Sequence, residues 1–362
     1  MSFRLPAPPR ASLVLWGYLL LITLAEVLTA AISPHVGLTL HALLLVGLVL
    51  HGALAREVPW RNMVLALTLA PLIRLLSLSL PLTRLPQIAW YPIVSAPLLL
   101  AAWVVIRQIG VARRELGLTL GNLPLQLVLT GAGLALGAVE YAILQPKALF
   151  ATFSWGAFLV AALILLVATG FTEELLFRGL LQTVARPALG RQAIVYVSLL
   201  FAVLHVGYLS LVDVVFVFAV GWAFGFIVRM GGSILGVTLA HGLTNIMLFL
   251  VMPHVASDPT FPLRPWMVWA GVEIWVIAAG VLLLHSWARR PLDAPQAPQG
   301  AAIRAARRGA GITYTELAQR CGLSVRLLAE IEHGLAPLEA EHVRRIAAGL
   351  GVAPGALAPT AA

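Results

Sequence analysis

The sequence predicts an all-α protein: a polytopic bundle of about ten transmembrane helices followed by a small soluble helical domain. Composition is the first reason, since 60% of the 362 residues are hydrophobic and only 11% charged, with a mean hydropathy of +0.94. The second is the recurrence of apolar runs near twenty residues, the length a helix needs to cross the hydrocarbon core of a bilayer. Beyond Pro291 both features disappear and a polar, Arg- and Glu-bearing segment begins.

In chain order, spans are expected at 12–32, 36–54, 62–80, 85–106, 125–144, 156–184, 191–209, 210–229, 233–252 and 265–287. Met1 to Arg10 is a short basic head with no small-residue cleavage site after the first span, so it reads as part of an anchor rather than a removed signal. Lys147 is the only lysine among 24 basic residues, a bias of base composition rather than chemistry. With the N-terminus in the cytoplasm, twelve loop arginines fall inside and only Arg84, Lys147 and Arg264 outside. That asymmetry orients a multi-pass plasma-membrane protein with both termini cytoplasmic. The single Cys321 excludes an intrachain disulfide framework and a thiol pair for a metal.

Ionisable residues inside such spans are costly and need internal partners. The main landmark is Thr172-Glu173-Glu174-Leu175-Leu176-Phe177-Arg178, which follows fifteen uncharged, mostly apolar residues. Glu174 and Arg178 are four apart and can pair along one helix face. Glu173 projects about 100° away and is the freer carboxylate. A purely structural ion-pair cluster is the bland alternative. Glu26, Arg74, Glu140 and Glu273 interrupt other spans and are expected to pair between helices. Gly131-Ala132-Gly133 and Gly221 with Gly225 mark close helix packing.

Two further landmarks are Phe201-Ala202-Val203-Leu204-His205 and His241-Gly242-Leu243-Thr244-Asn245. A lone buried histidine is more often a satisfied core residue than a catalyst, but depth links these. Glu173 and His205 both lie roughly 24 Å along their helices from the turn carrying Arg186 and Arg191. His241 and Asn245 lie roughly 16 and 22 Å from the turn at Arg229 to Gly232. A carboxylate, two imidazoles and an amide at one level suffice for peptide hydrolysis: one carboxylate and one His take a proton from water, and a second His with an Asn stabilises an oxyanion. Alternatively Glu173, His205 and His241 ligate a divalent metal such as Zn, although no contiguous H-E-x-x-H is present.

In order and character, Glu173-Glu174-x-x-x-Arg178, Phe201-x-x-x-His205 and His241-x-x-x-Asn245 resemble the three motifs of the CAAX protease and bacteriocin-processing family, also called CPBP or Abi. The resemblance covers roughly Leu116 to Met252, with Glu115-Leu116-Gly117-Leu118-Thr119 similar to the family's lead-in segment. It implies an intramembrane endopeptidase acting on a peptide or membrane-protein substrate in contact with lipid. In that scheme Glu173 and His205 activate water, His241 and Asn245 form the oxyanion site, and Glu174, Arg178 and Phe201 support them. The corresponding domains are 1–114, N-terminal spans; 115–252, catalytic core; 253–290, last span; 291–300, a Pro- and Gln-rich linker; and 301–358.

The last of these is expected to be helical near 301–309, 313–320, 324–333 and 339–349, with a short turn at 354–357. Thr313-x-x-Glu316 is a capping box, and Gly322 with Ser324 reads as a turn and N-cap. Glu316-Leu317-Ala318, Gly322-Leu323-Ser324, Ile331-Glu332-x-Gly334, Pro337 and Ile346-Ala347-x-x-Leu350-Gly351-Val352 resemble the phage-repressor-type, Cro-like helix-turn-helix family. The resemblance implies a recognition helix from Ser324 to His333 that presents Val325, Arg326 and Ala329 to DNA, commonly as a dimer. Seven Arg against five Glu in residues 301–362 give only a modest positive footprint. Tyr314 stands where that family usually has Gln. The competing class is a non-enzymatic membrane scaffold or sensor signalling through this tail; a transporter is disfavoured because no paired broken-helix repeat is visible.

Overall fold

The computed structural model describes residues 10–55, 58–150, 153–258, 261–288, 298–332, 336 and 338–357. Most of the basic head and linker residues 291–297 lie outside the described residues. The described residues are helical and contain no strand, and the chain divides into two compact units, residues 1–277 and 278–362.

The first unit opens with α1 (Arg10–Val27), α2 (Pro34–Leu54), α3 (Val58–Leu67), α4 (Leu69–Ser79), α5 (Gln87–Ile109) and α6 (Leu123–Leu144). A single helical rod then runs through α7 (Trp155–Ile164), α8 (Thr172–Glu174) and α9 (Gln182–Leu189), interrupted by two π-helical stretches, Leu165–Phe171 and Leu175–Leu181. Gly190, at φ +55°, reverses the chain into α10 (Ala193–Val203). Next come α11 (Leu211–Gly231), α12 (Leu235–Ile246), α13 (Met252–Ser257) and α14 (Pro265–Ala288), whose residues from 278 onward fall in the second unit.

Eight of the described helical segments are long and apolar enough to cross a membrane, and this is a membrane protein. One of the eight, Trp155–Tyr208, holds the two spans expected at 156–184 and 191–209, because the reversal at Gly190 lies inside it. The span expected at 265–287 coincides with α14. α10 stops at Val203, short of the expected 209, and its C-terminal turn continues as a 3-10 segment, Val206–Tyr208.

Side chains from α1 to α5 and from the rod, α10, α11 and α12 share one buried core around Leu176, Phe177, Leu180, Tyr196 and Leu200. Tyr196 donates its hydroxyl proton to the Leu15 carbonyl at 2.9 Å, which docks α10 on α1. The lead-in segment is a staple. Thr183 Oγ1 on the rod donates to the Glu115 carbonyl at 3.0 Å, Ile234 N–H to the Gly117 carbonyl at 3.0 Å, and Ser233 Oγ to the Thr119 carbonyl at 2.5 Å.

α12 is clasped between α6 and the rod at backbone range. A Cβ at Gly133 would overlap the Ala240 carbonyl oxygen, and one at Gly170 would stand 2.8 Å from both Gly242 N and Thr238 O. Small residues permit such approach between helices that gain nothing by hiding apolar surface from lipid. Of the other marked glycines, Gly131 faces Trp275, Gly221 faces Arg178 and Gly225 faces Gln182.

The second unit contains α15 (Pro298–Gly309), α16 (Tyr314–Cys321), α17 (Val325–Glu332), α18 (Ala340–Leu350) and a 3-10 turn, Pro354–Leu357. α15 begins three residues before the expected start, so the last linker residues are helical. Thr313 Oγ1 accepts from Glu316 N–H at 3.2 Å, Gly322 takes φ +64°, and Ser324 Oγ accepts from Leu327 N–H at 3.0 Å. Those caps set two helices around a core of Ile303, Leu317, Leu328, Ile331 and Ile346.

Gly170→Ala is expected to lower the unfolding midpoint in detergent, with a cost of about 1–3 kcal/mol, because the new methyl meets backbone that cannot rotate away. Gly156→Ala, whose Cβ meets nothing within 4 Å, is the matched control and is expected to leave the midpoint unchanged or slightly raised.

Candidate active site

The charged groups of the rod's polar turn meet one another and side chains on α10 and α12. Glu174, fully buried, accepts on Oε1 from Arg178 Nη1 at 2.9 Å and from His241 Nδ1 at 2.8 Å. Arg178 is itself buried and lies with its guanidinium carbon 4.3 Å above the Phe201 ring, a cation–π contact in a dry environment. Room for that stack comes from Gly221 on α11, where a Cβ would stand 3.0 Å from Arg178 Nη2 and 3.4 Å from Phe201. Phe201 is a shared platform, with ring centroids 4.8 Å from Phe177, 4.8 Å from His205 and 6.0 Å from His241.

Glu173 turns the other way. Its side chain keeps 28% of its exposure, and Oε2 stands 3.7 Å from His241 Nε2. His241 is therefore bracketed, with one ring nitrogen on each glutamate. A carboxylate only accepts, so the proton of the 2.8 Å bond sits on Nδ1 of His241. His205 Nδ1 is 2.9 Å from the Phe201 carbonyl oxygen, which assigns its proton to Nδ1 as well and leaves Nε2 as a free lone pair. His205 is not inside a helix, as the span expected at 191–209 would have placed it. It lies just past the end of α10, where its ring serves as a cap for the last turn.

Asn245 Nδ2 donates to Thr169 Oγ1 at 2.8 Å, while that hydroxyl donates onward to the Leu165 carbonyl. Thr169 thus fixes which side of the amide carries the NH2, and leaves Asn245 one unused N–H. Thr169 and Arg178 both lie in the π-helical stretches flanking α8, and π turns of this kind re-aim side chains at functional sites.

Glu173, Glu174, Arg178, Phe201, His205, His241 and Asn245 all line one cavity of about 90 Å3. That is room for several waters. Tyr91, Glu140, Thr169, Tyr208 and Thr244 add to its polar wall. Glu140 was expected only as an interhelical partner, and Tyr91, Thr169 and Tyr208 were not expected at all. Thr169 had a signal in its spacing, four residues before Glu173 and four after Leu165 on one rod; Tyr91 had none. Of the other intramembrane polar residues, Glu26 and Arg74 pair at 2.7 Å, whereas Glu273 is exposed on α14.

Among the described residues no group of three or more His, Cys, Asp or Glu side chains is placed to hold a metal ion. Glu173, His205 and His241, the alternative zinc set, do not form such a group.

In the second unit, α17 carries Val325, which is exposed, and Ala329, which is half-buried; the Arg326 side chain lies outside what the structure describes, as do His333, Gly334 and Pro337. Arg307 forks onto Glu332, Nε to Oε1 at 2.6 Å and Nη2 to Oε2 at 2.9 Å, and its guanidinium carbon lies 3.8 Å from the Tyr314 ring centroid. The Glu332 bond raises the Arg307 pKa further above its ordinary value, and burial raises that of Tyr314. Tyr314 is thus a lid on a buried ion pair.

Arg178→Met is expected to destabilise the protein by about 3–5 kcal/mol, because it strands a buried Glu174 charge. The double variant Arg178→Met with Glu174→Gln is expected to recover part of that loss, and thermal unfolding in detergent reads both.

Two family models match the chain. Residues 154–247 match the type II CAAX prenyl endopeptidase Rce1-like family, and residues 303–357 match a helix-turn-helix family. The first match is narrower than the Leu116 to Met252 of the sequence resemblance, yet contains Glu173, Glu174, Arg178, Phe201, His205, His241 and Asn245. No curated protein and no solved structure matches the chain. The chain therefore carries an Rce1-like CAAX protease domain within a bundle of membrane helices, joined in one polypeptide to a Cro/C1-type helix-turn-helix domain.

Proposed function

We propose that this protein is an intramembrane endopeptidase that hydrolyses a peptide bond of a peptide or membrane-protein substrate with an activated water. The observation that carries the reading is the division of labour around the cavity. Glu174 and Arg178 neutralise each other in the wall, while Glu173 stays partly exposed beside a histidine and His205 offers an unprotonated Nε2.

Glu173 and His205 hold a water between them and take its proton as its oxygen attacks the scissile carbonyl carbon. The carbonyl oxygen becomes an oxyanion, which accepts from Asn245 Nδ2 and from His241 Nε2. For that donation both ring nitrogens of His241 carry protons, the Nδ1 proton held on Glu174 and the Nε2 proton directed into the cavity. When the C–N bond breaks, the proton taken from water passes to the leaving amine. Thr169 and Glu174 orient the two oxyanion donors.

The wider assignment follows from the sequence. Spans within 1–114 precede a catalytic core, 115–252, and a last span, 253–290; a linker, 291–300, leads to the domain at 301–358. The arginine asymmetry supports a plasma-membrane setting with both termini cytoplasmic. There the helix-turn-helix domain can meet DNA as a dimer, with Val325, Arg326 and Ala329 toward the major groove. A non-enzymatic sensor that signals through the tail is the second reading, favoured by the same domain.

Purified protein with a panel of membrane-anchored peptides tests the first reading. Glu173→Gln and His205→Ala are each expected to lower the rate at least about 10²-fold, and Asn245→Ala about 10²- to 10³-fold. Robust cleavage by the Glu173→Gln, His205→Ala double variant would overturn the assignment, and a wild-type protein that cleaves nothing would favour the sensor. For the tail, a soluble 298–362 fragment is expected to shift DNA in a gel with an affinity that falls steeply as salt rises and that weakens in Arg326→Ala.

A further inference from the structure

Outside the matched residues 154–247, a charged network from the first membrane helices reaches the segment that carries His205. Arg74 on α4 donates Nη2 to the Leu204 carbonyl at 2.6 Å. The same guanidinium is forked onto Glu26 of α1, Nε to Oε1 at 2.9 Å and Nη2 to Oε2 at 2.7 Å. Glu26 is 1% exposed, and His41 of α2 stands behind it, fully buried, with Nε2 3.4 Å from Oε1. A charge pair inside membrane helices with its carboxylate buried and its guanidinium half-buried is expensive to keep, so what it touches matters.

It touches the end of α10. The last carbonyls of a helix lack intrahelical donors and must be met from elsewhere. At α10 the Phe201 carbonyl is met by the His205 ring, the Ala202 carbonyl by the His205 N–H, and the Leu204 carbonyl by Arg74. Arg74 thus supplies the donor for the carbonyl directly before His205, and its charge suits the negative end of the helix. The turn that follows holds Leu209 at φ +54°, a left-handed position unfavourable for a side chain with a Cβ, so it depends on being held from outside.

We propose that Arg74, locked by Glu26, is a positioning residue that sets the orientation of His205 in the cavity. This rests on the role given to His205 under Proposed function, and it assigns a purpose to helices that the family match does not cover. The latch is geometric as well as electrostatic, because one guanidinium spans Glu26 and the Leu204 carbonyl at once. A lysine in its place keeps the charge but not the fork.

The experiment is histidine-selective 15N NMR of the full chain in nanodiscs, with the His205 signal assigned by its loss in His205→Gln. It is paired with kinetics normalised to folded protein. In the wild type His205 is expected as a single Nδ1–H tautomer. In Arg74→Met that signal is expected to broaden or split into two tautomers, with kcat reduced at least about tenfold and KM within about twofold, the signature of a misplaced reacting group. Arg74→Lys is expected to restore part of both. A folded Arg74→Met protein with the wild-type His205 signal and wild-type kcat overturns the proposal. Should Arg74→Met not fold, Arg74→Lys and Glu26→Gln decide it by the same His205 signal: a changed tautomer supports the latch, and an unchanged one removes it. The NMR arm holds even if the wild type cleaves no peptide, an outcome that counts against the peptidase reading alone.

Discussion

Burying Glu174 without leaving its charge uncompensated is the constraint on which the rest of the first unit depends. A carboxylate with no exposure inside apolar helices needs donors, and it finds a guanidinium on its own rod and an imidazole on α12. Each donor then imposes a demand of its own. Arg178 needs a flat apolar neighbour and open space on α11, which Phe201 and Gly221 provide. His241 needs α12 close enough to the rod for a 2.8 Å bond, which the glycines at 170 and 242 allow. Removing any one of these features would alter the cavity wall rather than a single contact.

Because Glu174 absorbs Arg178, the adjacent Glu173 has no cation on its own rod turn and faces the cavity instead. Two neighbouring glutamates on one helix therefore acquire different surroundings from a 100° rotation between them. Environment separates otherwise identical side chains in this way whenever one is dry and paired and the other is wet. The same logic applies to the two histidines: His205 is capped onto a carbonyl and retains a lone pair, whereas His241 is held between carboxylates.

The second unit shows a comparable economy at smaller scale. Its core is apolar except for Arg307 and Glu332, whose fork is roofed by Tyr314. The tyrosine that departs from the usual pattern of the family is explained by what it covers. A glutamine would have left the guanidinium without its aromatic face.

Much of this was legible in order along the chain. Hydropathy and run length marked the spans, the spacing of Glu174 and Arg178 marked their pairing, and Thr313, Gly322 and Ser324 marked the caps, because each rests on local rules of length, periodicity and capping. What sequence alone could not decide was anything requiring two distant segments to meet. Nothing local announced that α10 ends at Val203 and leaves His205 on a turn, or that Arg74 reaches across 130 positions to the carbonyl before it. Nor could spacing show that Thr169 orients Asn245, or that Tyr91 joins the cavity wall. Periodicity reports which face of a helix is polar; only the packing of backbones at glycine contacts determines which polar face another helix turns toward it.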